Sequence, residues 1–230
     1  MIGDYVYFIA RGRVFNYNDK VVLPVIREAG KILLTPEVFY FDNPEAHYRF
    51  YTIASFNIQG DKDDVNAKTF LIGHPSTLYV SLDNIYISYR KNPPFIYYRT
   101  QSEERFYNVI APLFPKSVQT EINKVKADKN LNSHRKWQKI SSVLENMYNN
   151  MGEEEKKALK EKIERAVIEY ETKLELERSK TFIHKIAIKD GKIDYKAKGE
   201  VLGSLLNRFS MNEFNGNLRV ATTINMWVGK

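Results

Sequence analysis

The side chains able to do chemistry in this 230-residue sequence are few and scattered. Its four histidines, His47, His74, His134 and His184, fall at no spacing that would bring two of them to one ion. Cysteine is absent, which excludes disulfides, thiolate nucleophiles and cysteine-held metals. His184, beside Ile183 and Ile186, reads as an ordinary hydrogen-bonded strand histidine. Asp61, Asp63 and Asp64 follow Gly60 and offer clustered carboxylates on a loop, the donor set calcium uses. The pattern is incomplete: Val65 stands where a further oxygen is needed and no bidentate glutamate follows, so a solvated turn is the competing reading. Phosphate loops, a G-x-S-x-G elbow and a Ser/His/Asp signature are all missing. Paired carboxylates drawn from distant segments are the enzymatic chemistry left open.

One run is strongly basic. Lys124, Lys126, Lys129, Arg135, Lys136 and Lys139 stand against Asp128 alone, with Trp137 inside the run. That composition fits an anionic polymer, but Trp137 also falls on an apolar helical stripe and is expected to face the core, leaving a solvated helix face as the plainer reading. The chain's net charge of +7 is not concentrated. Residues 101–180 hold 16 basic and 14 acidic residues, a net of +2, which leaves +5 for the rest. Dispersed lysine of this kind keeps a surface soluble, and no nucleic acid is expected as partner.

The elements that must position these residues follow from periodicity. From Asp4 to Thr100, short runs rich in Tyr, Phe, Ile and Val alternate with turn residues, as in Tyr5–Ile9, Val38–Phe41, Tyr48–Ile58, Thr69–Ile72 and Thr77–Ser81. Leu78 to Tyr89 predicts a hairpin around Asp83-Asn84, Ile186 to Tyr195 another around Asp190-Gly191, and Phe214 to Leu218 a third around Asn215-Gly216. Between Ser102 and Lys180 the period becomes helical. Trp137, Ile140, Leu144, Met147 and Met151 form one stripe, and Leu159, Ile163, Val167, Tyr170 and Leu174 a second. Ser133 is expected to cap the first helix and Gly152 to end it, with Glu153, Glu154 and Glu155 opening the second at its positive pole. Shorter helices are expected over Glu103–Ala111 and Ser117–Lys126. No apolar run approaches the length of a membrane span, and Met1-Ile-Gly-Asp lacks the shape of a signal peptide.

The stretch Gly199–Thr223, with Asn207, Phe209, Ser210, Met211, Glu213, Gly216, Arg219, Val220, Ala221, Thr222 and Thr223, resembles the blade motif of a secreted or surface-attached β-propeller family of archaea and bacteria, distantly related to WD-repeat propellers. The same order of parts precedes it: Tyr51–Ile58, the Leu78–Tyr89 hairpin, a helical block and Thr181–Ile186. Leu202 stands where the family tends to have proline, and Asn217 where it tends to have an aromatic. The resemblance implies a mainly β fold: propeller blades over 1–100 and 181–230 with an α-helical insertion over 101–180. Outside the helical block only 150 residues remain, 230 minus 80, roughly three or four blades, so a partial or shortened propeller with open sheet edges is expected.

The implied function is a noncatalytic binding module of an extracellular or cell-envelope protein, its export signal lying outside this sequence. The partner would be a protein or an extracellular polymer, with self-association through open edges, and no cofactor beyond the calcium candidate is expected. The alternative is a hydrolase or lyase acting on an extracellular polymer at the propeller channel. Binding residues are assigned to Arg208, Asn212, Glu213 and Arg219. Alternation puts Arg219 on the strand face opposite Leu218 and Val220, where it is either exposed or paired with a carboxylate such as Glu213.

Overall fold

Phe50-Tyr-Thr-Ile-Ala-Ser-Phe56 carries apolar side chains at odd and even positions alike, so a strand built from it can bury both faces. The computed structural model, which describes residues 1–60, 65–75, 77–94 and 101–225, puts this segment at the centre of a sheet. The described chain divides into a β unit, Met1–Pro94 with Leu176–Asn225, and a helical unit whose described part runs over 101–175.

In the β unit, strands β1 (Tyr5–Arg13), β6 (Glu37–Tyr40), β7 (Arg49–Asn57) and β8 (Val65–Ile72) form a sheet in the order β1-β7-β8-β6, with β6 and β8 parallel. Strands β9 (Thr77–Val80), β10 (Asn84–Arg90), β11 (Thr181–Lys189) and β12 (Lys192–Val201) form a second four-stranded sheet, an antiparallel meander. The helical segment is inserted between β10 and β11. A hairpin of β13 (Met211–Phe214) and β14 (Asn217–Val220) follows, and β2 to β5, within Asn16–Leu34, make two small ribbons.

Strand alternation sorts these elements into layers. Tyr51, Ile53, Phe70 and Ile72 of the first sheet meet Ile85, Ile87, Tyr89, Phe182, Ile186, Ile188 and Ile193 of the second in one core. On the second sheet's other face, Tyr86 and Ile183 pack against Leu205, Met211, Leu218 and Val220. First sheet, second sheet and hairpin are thus three β layers in chain order. The sheets are not closed into a ring.

Local turn chemistry sets the registers. Asp190 and Gly191 have φ of 46° and 75°, and Asn215 and Gly216 have 49° and 75°, the paired left-handed conformations that two-residue hairpins need. The β9–β10 turn differs from expectation: Asn84 already belongs to β10, and Ser81 closes the loop by accepting from the Asn84 amide at 3.0 Å.

The helical unit contains α1 (Lys116–Ala127), α2 (Ser133–Asn149) and most of α3 (Glu153–Ser179). Ile122 and Ile140 are buried with Ala111 and Phe114, and Trp137, Leu144, Met147, Leu159 and Ile163 pack around them, so the first expected stripe meets the Leu159 and Ile163 part of the second. Asn132, not Ser133, caps α2, its Oδ1 accepting from the Arg135 amide at 2.9 Å. α2 ends at Asn149, and Gly152 immediately precedes α3, its carbonyl accepting from the Lys156 amide at 3.0 Å. The short helix expected over Glu103–Ala111 is broken: a π-helical turn occupies Phe106–Ile110 and a 3-10 turn Ala111–Leu113.

Candidate functional site

Asn207 and Ser210 cap the 3-10 turn Arg208–Ser210: Asn207 Oδ1 accepts from the Phe209 amide at 2.8 Å, and the Asn207 amide donates to Ser210 Oγ at 3.5 Å. The Ser210 carbonyl then accepts from the Ala221 amide at 2.8 Å, which fastens the turn to the end of β14. Phe209 is left 82% exposed, with the Arg208 guanidinium over its ring at 5.0 Å.

Along the hairpin the two faces separate cleanly. Met211, Leu218 and Val220 face the second sheet, and Asn212 pairs across the ladder with Arg219 and Phe214 with Asn217 on the outer face. Phe214 is 52% exposed and the Arg219 guanidinium lies over it at 4.4 Å. The outer surface therefore carries Asn212, Phe214, Asn217 and Arg219, with Arg208 and Phe209 in the turn just before β13. An arginine resting on an aromatic ring is preorganised, its planar donors still open to a partner.

Glu213 does not join this surface, and its pairing with Arg219 is not made. Leu218 is its cross-strand neighbour, so its side chain points to the opposite face from Arg219. Its carboxylate accepts from Ser81 Oγ at 2.5 Å and Asn84 Nδ2 at 2.8 Å and faces Lys185 Nζ at 3.7 Å, and its amide donates to Tyr79 Oη at 3.1 Å. Burial opposes its ionisation, but the Ser81 and Asn84 hydrogen bonds outweigh it and hold the carboxyl below the usual range. Glu213 fastens the hairpin to the second sheet, while Arg208, Asn212 and Arg219 are exposed together.

A buried polar cluster lies between the two sheets. His184, 1% exposed, places Nδ1 3.3 Å from Tyr195 Oη and Nε2 3.3 Å from Tyr89 Oη, and stacks on the Tyr89 ring at 5.5 Å. Desolvation lowers its pKa to about 4. Desolvation likewise raises Tyr195 to about 12. Glu45, 4% exposed, accepts from the Asn92 amide at 3.1 Å through Oε2, and burial raises it to about 7 against the opposing pull of that hydrogen bond and of Lys91. The histidine and the two tyrosine hydroxyls satisfy one another inside the packed core. The sequence gives His184 as an ordinary strand histidine but offers no local sign of Glu45 or of the exposed Phe209 and Phe214. The calcium candidates Asp61, Asp63 and Asp64 lie outside the described residues.

The family described as Beta propeller domain matches residues 1–230. An uncharacterized protein of Methanocaldococcus jannaschii is 28% identical over 181 residues, covering 77% of this chain and 27% of that relative. An uncharacterized protein of Archaeoglobus fulgidus is 30% identical over 151 residues, covering 65% of this chain and 23% of that relative. The chain thus spans about a quarter of the length of the curated relatives it matches. No solved structure matches it.

Proposed function

The chain belongs to the Beta propeller domain family, and from that membership we propose that it is a noncatalytic interaction module of an extracellular or cell-envelope protein. The two four-stranded sheets are successive blades of a partial propeller, and the β13–β14 hairpin supplies the first two strands of a third. Their rigid stack presents the turn at Arg208–Ser210 and the outer hairpin face to a protein or polymer partner. One observation carries the reading: Phe209 and Phe214 face solvent, each covered by an arginine that makes no ion pair among the described residues. Exposed aromatic and arginine side chains dominate the energetics of recognition surfaces, and a monomer gains nothing by leaving them bare.

A photoreactive benzophenone side chain placed at Phe209 or Phe214 tests this against a cell-envelope fraction. The expected result is a discrete covalent adduct at both positions that disappears in the Arg208→Glu/Arg219→Glu variant and is absent when the probe sits at Tyr17. Equal labelling at all three positions, or none at Phe209 and Phe214 in a folded chain, overturns the proposal.

A further inference from the structure

The basic run of the helical unit acquires a meaning in three dimensions that its composition alone lacks. Lys124 and Lys126 end α1, Lys129 lies in the loop, and Arg135, Lys136 and Lys139 occupy the start of α2. Among the described residues none of the six makes an ion pair, whereas Lys156, Lys160 and Lys173 of α3 each meet a glutamate on their own helix. Asp128, the acid within the run, is engaged with the Asn130 amide at 2.9 Å. The six charges therefore stand without a direct ion-pair partner on one helical hairpin.

Beside them opens a cavity of about 280 Å³ with an aromatic floor. The Tyr107 and Trp137 rings are inclined by 30° with centroids 5.8 Å apart, and Phe106 packs edge-on against Trp137 at 4.9 Å, fixing the indole. Trp137 is thus half-buried and serves both core and cavity. Lys126 Nζ sits 4.2 Å from the Tyr107 ring centre, and Lys136 Nζ is held by the Lys126 carbonyl at 2.6 Å, so both ammonium groups are fixed at the cavity wall. Glu103, Glu104, Asn108 and Ser133 complete that wall. Tyr107 and Asn108 belong to the π-helical turn, a distortion of the kind that recurs at functional sites.

We propose that this cavity and its basic surround bind an acidic polysaccharide. The polarised C–H groups of a sugar ring pack on the cavity-facing part of the half-buried Trp137 indole, the Tyr107 ring being already covered by the Lys126 ammonium. Its hydroxyls donate to the Glu103 and Glu104 carboxylates and exchange hydrogen bonds with Asn108 and Ser133. The uronate or sulfate groups of neighbouring sugars meet Lys126, Lys136 and the four flanking cations. The two wall glutamates separate this ligand from single-stranded DNA: each sugar of a polysaccharide keeps free hydroxyls to donate to them, whereas a DNA backbone has none along its length. This site lies in the helical unit and stands independently of the hairpin surface.

The test titrates the full chain with an alginate oligomer, with neutral dextran of similar length, and with a thymidine oligonucleotide. Alginate is expected to bind and perturb tryptophan fluorescence, with affinity falling roughly tenfold or more between about 50 and about 200 mM salt, and neutral dextran not to bind. Trp137→Ala is expected to cut affinity at least roughly tenfold. Because Trp137 also packs on Phe106, the exposed pair Lys129→Glu/Arg135→Glu provides a second variant, its helix content checked by circular dichroism, with the same expected loss. Oligonucleotide binding tighter than alginate, no alginate binding, or unchanged affinity in the folded charge-reversal variant overturns the proposal.

Discussion

Glu45 and His184 respond to protons in opposite senses, and the contrast can be measured. Glu45 titrates near 7 in the fold against an ordinary 4.5, so the native state holds its proton more tightly and stability falls as pH rises through that window. His184 titrates near 4 against 6.5, so its contribution is complete above pH 6.5 and is lost as pH falls toward 4. Each effect is on the order of 3 kcal/mol at its limit. Between about pH 5 and pH 6 the two slopes cancel, and melting temperature is expected to be level there and to decline on both sides. The groups facing them are Lys91, Tyr48 and Tyr89 at Glu45 and Tyr89, Tyr195 and Lys198 at His184. Glu45→Gln keeps an acceptor for the Asn92 amide and removes the charge, so it is expected to be more stable than the parent at pH 8 and to lose stability only on acidification. Thermal melts across pH check this, and a parent whose stability still rises steadily from pH 5 to pH 8 contradicts it.

The Asp190-Gly191 turn shows how a two-residue element fastens one sheet to another. The Gly191 carbonyl accepts from Ser55 Oγ at 2.5 Å and Asn66 Nδ2 at 3.1 Å, and its amide donates to Tyr7 Oη at 3.0 Å, all three partners on the first sheet. A methyl on Gly191 would run into the Tyr5 ring, whereas one on Gly216 would meet open space. Both glycines have left-handed φ, so Gly216→Ala is expected to cost about 1 kcal/mol and Gly191→Ala at least about 2–3 kcal/mol, the ring clash adding to the backbone term. Denaturant unfolding of the two variants gives the order directly, and equal losses would mean that the turn is not seated on the first sheet. These turns were legible because left-handed φ is a strictly local demand that Asp-Gly and Asn-Gly meet. The stripes of α2 and α3 were legible for a similar reason. The cap of α2 was misplaced by one residue because Asn132 and Ser133 are both good capping types. The π-helical turn left no trace, since the five residues Phe106–Ile110 are too few for a change of helical period to show in the apolar pattern. The Glu213–Arg219 pairing failed on register: a two-residue turn at Asn215-Gly216 pairs 213 with 218 and 212 with 219, which places the two charges on opposite faces.

At the scale of the molecule, the first sheet is apolar on the face turned away from the shared core. The register assigns Val6, Phe8, Phe50, Phe56, Val65, Leu71, Val38 and Tyr40 to that face around Ala54, Ala67, Thr52 and Thr69, without a charged side chain. Phe8 and Phe56 lie 6.3 Å apart and are 41% and 37% exposed. The second sheet is covered on both faces by β layers; on the outer face of the first, Phe50, Thr52, Ala54, Ala67 and Thr69 are buried while Phe8, Phe56 and Tyr40 stay open to solvent. The lack of alternation in β7 foretells burial at the centre of both faces, because a strand that faced water would carry polar residues at every second position. What no local pattern discloses is which layer covers it. The physical expectation for the 230-residue chain is concentration-dependent association through this face, in addition to pairing at open sheet edges. Phe8→Ser with Phe56→Ser is expected to weaken association at least roughly tenfold, equivalent to about 1.4 kcal/mol. Salt separates this contact from polyanion binding by the basic helical hairpin: burial of an aromatic face is maintained or strengthened by sulfate, whereas binding to lysine-rich surfaces is screened. Sedimentation at two sulfate concentrations decides between them, since association that dissolves with added salt and ignores the Phe8 and Phe56 substitutions would assign the contact to charge and leave the aromatic face without a role.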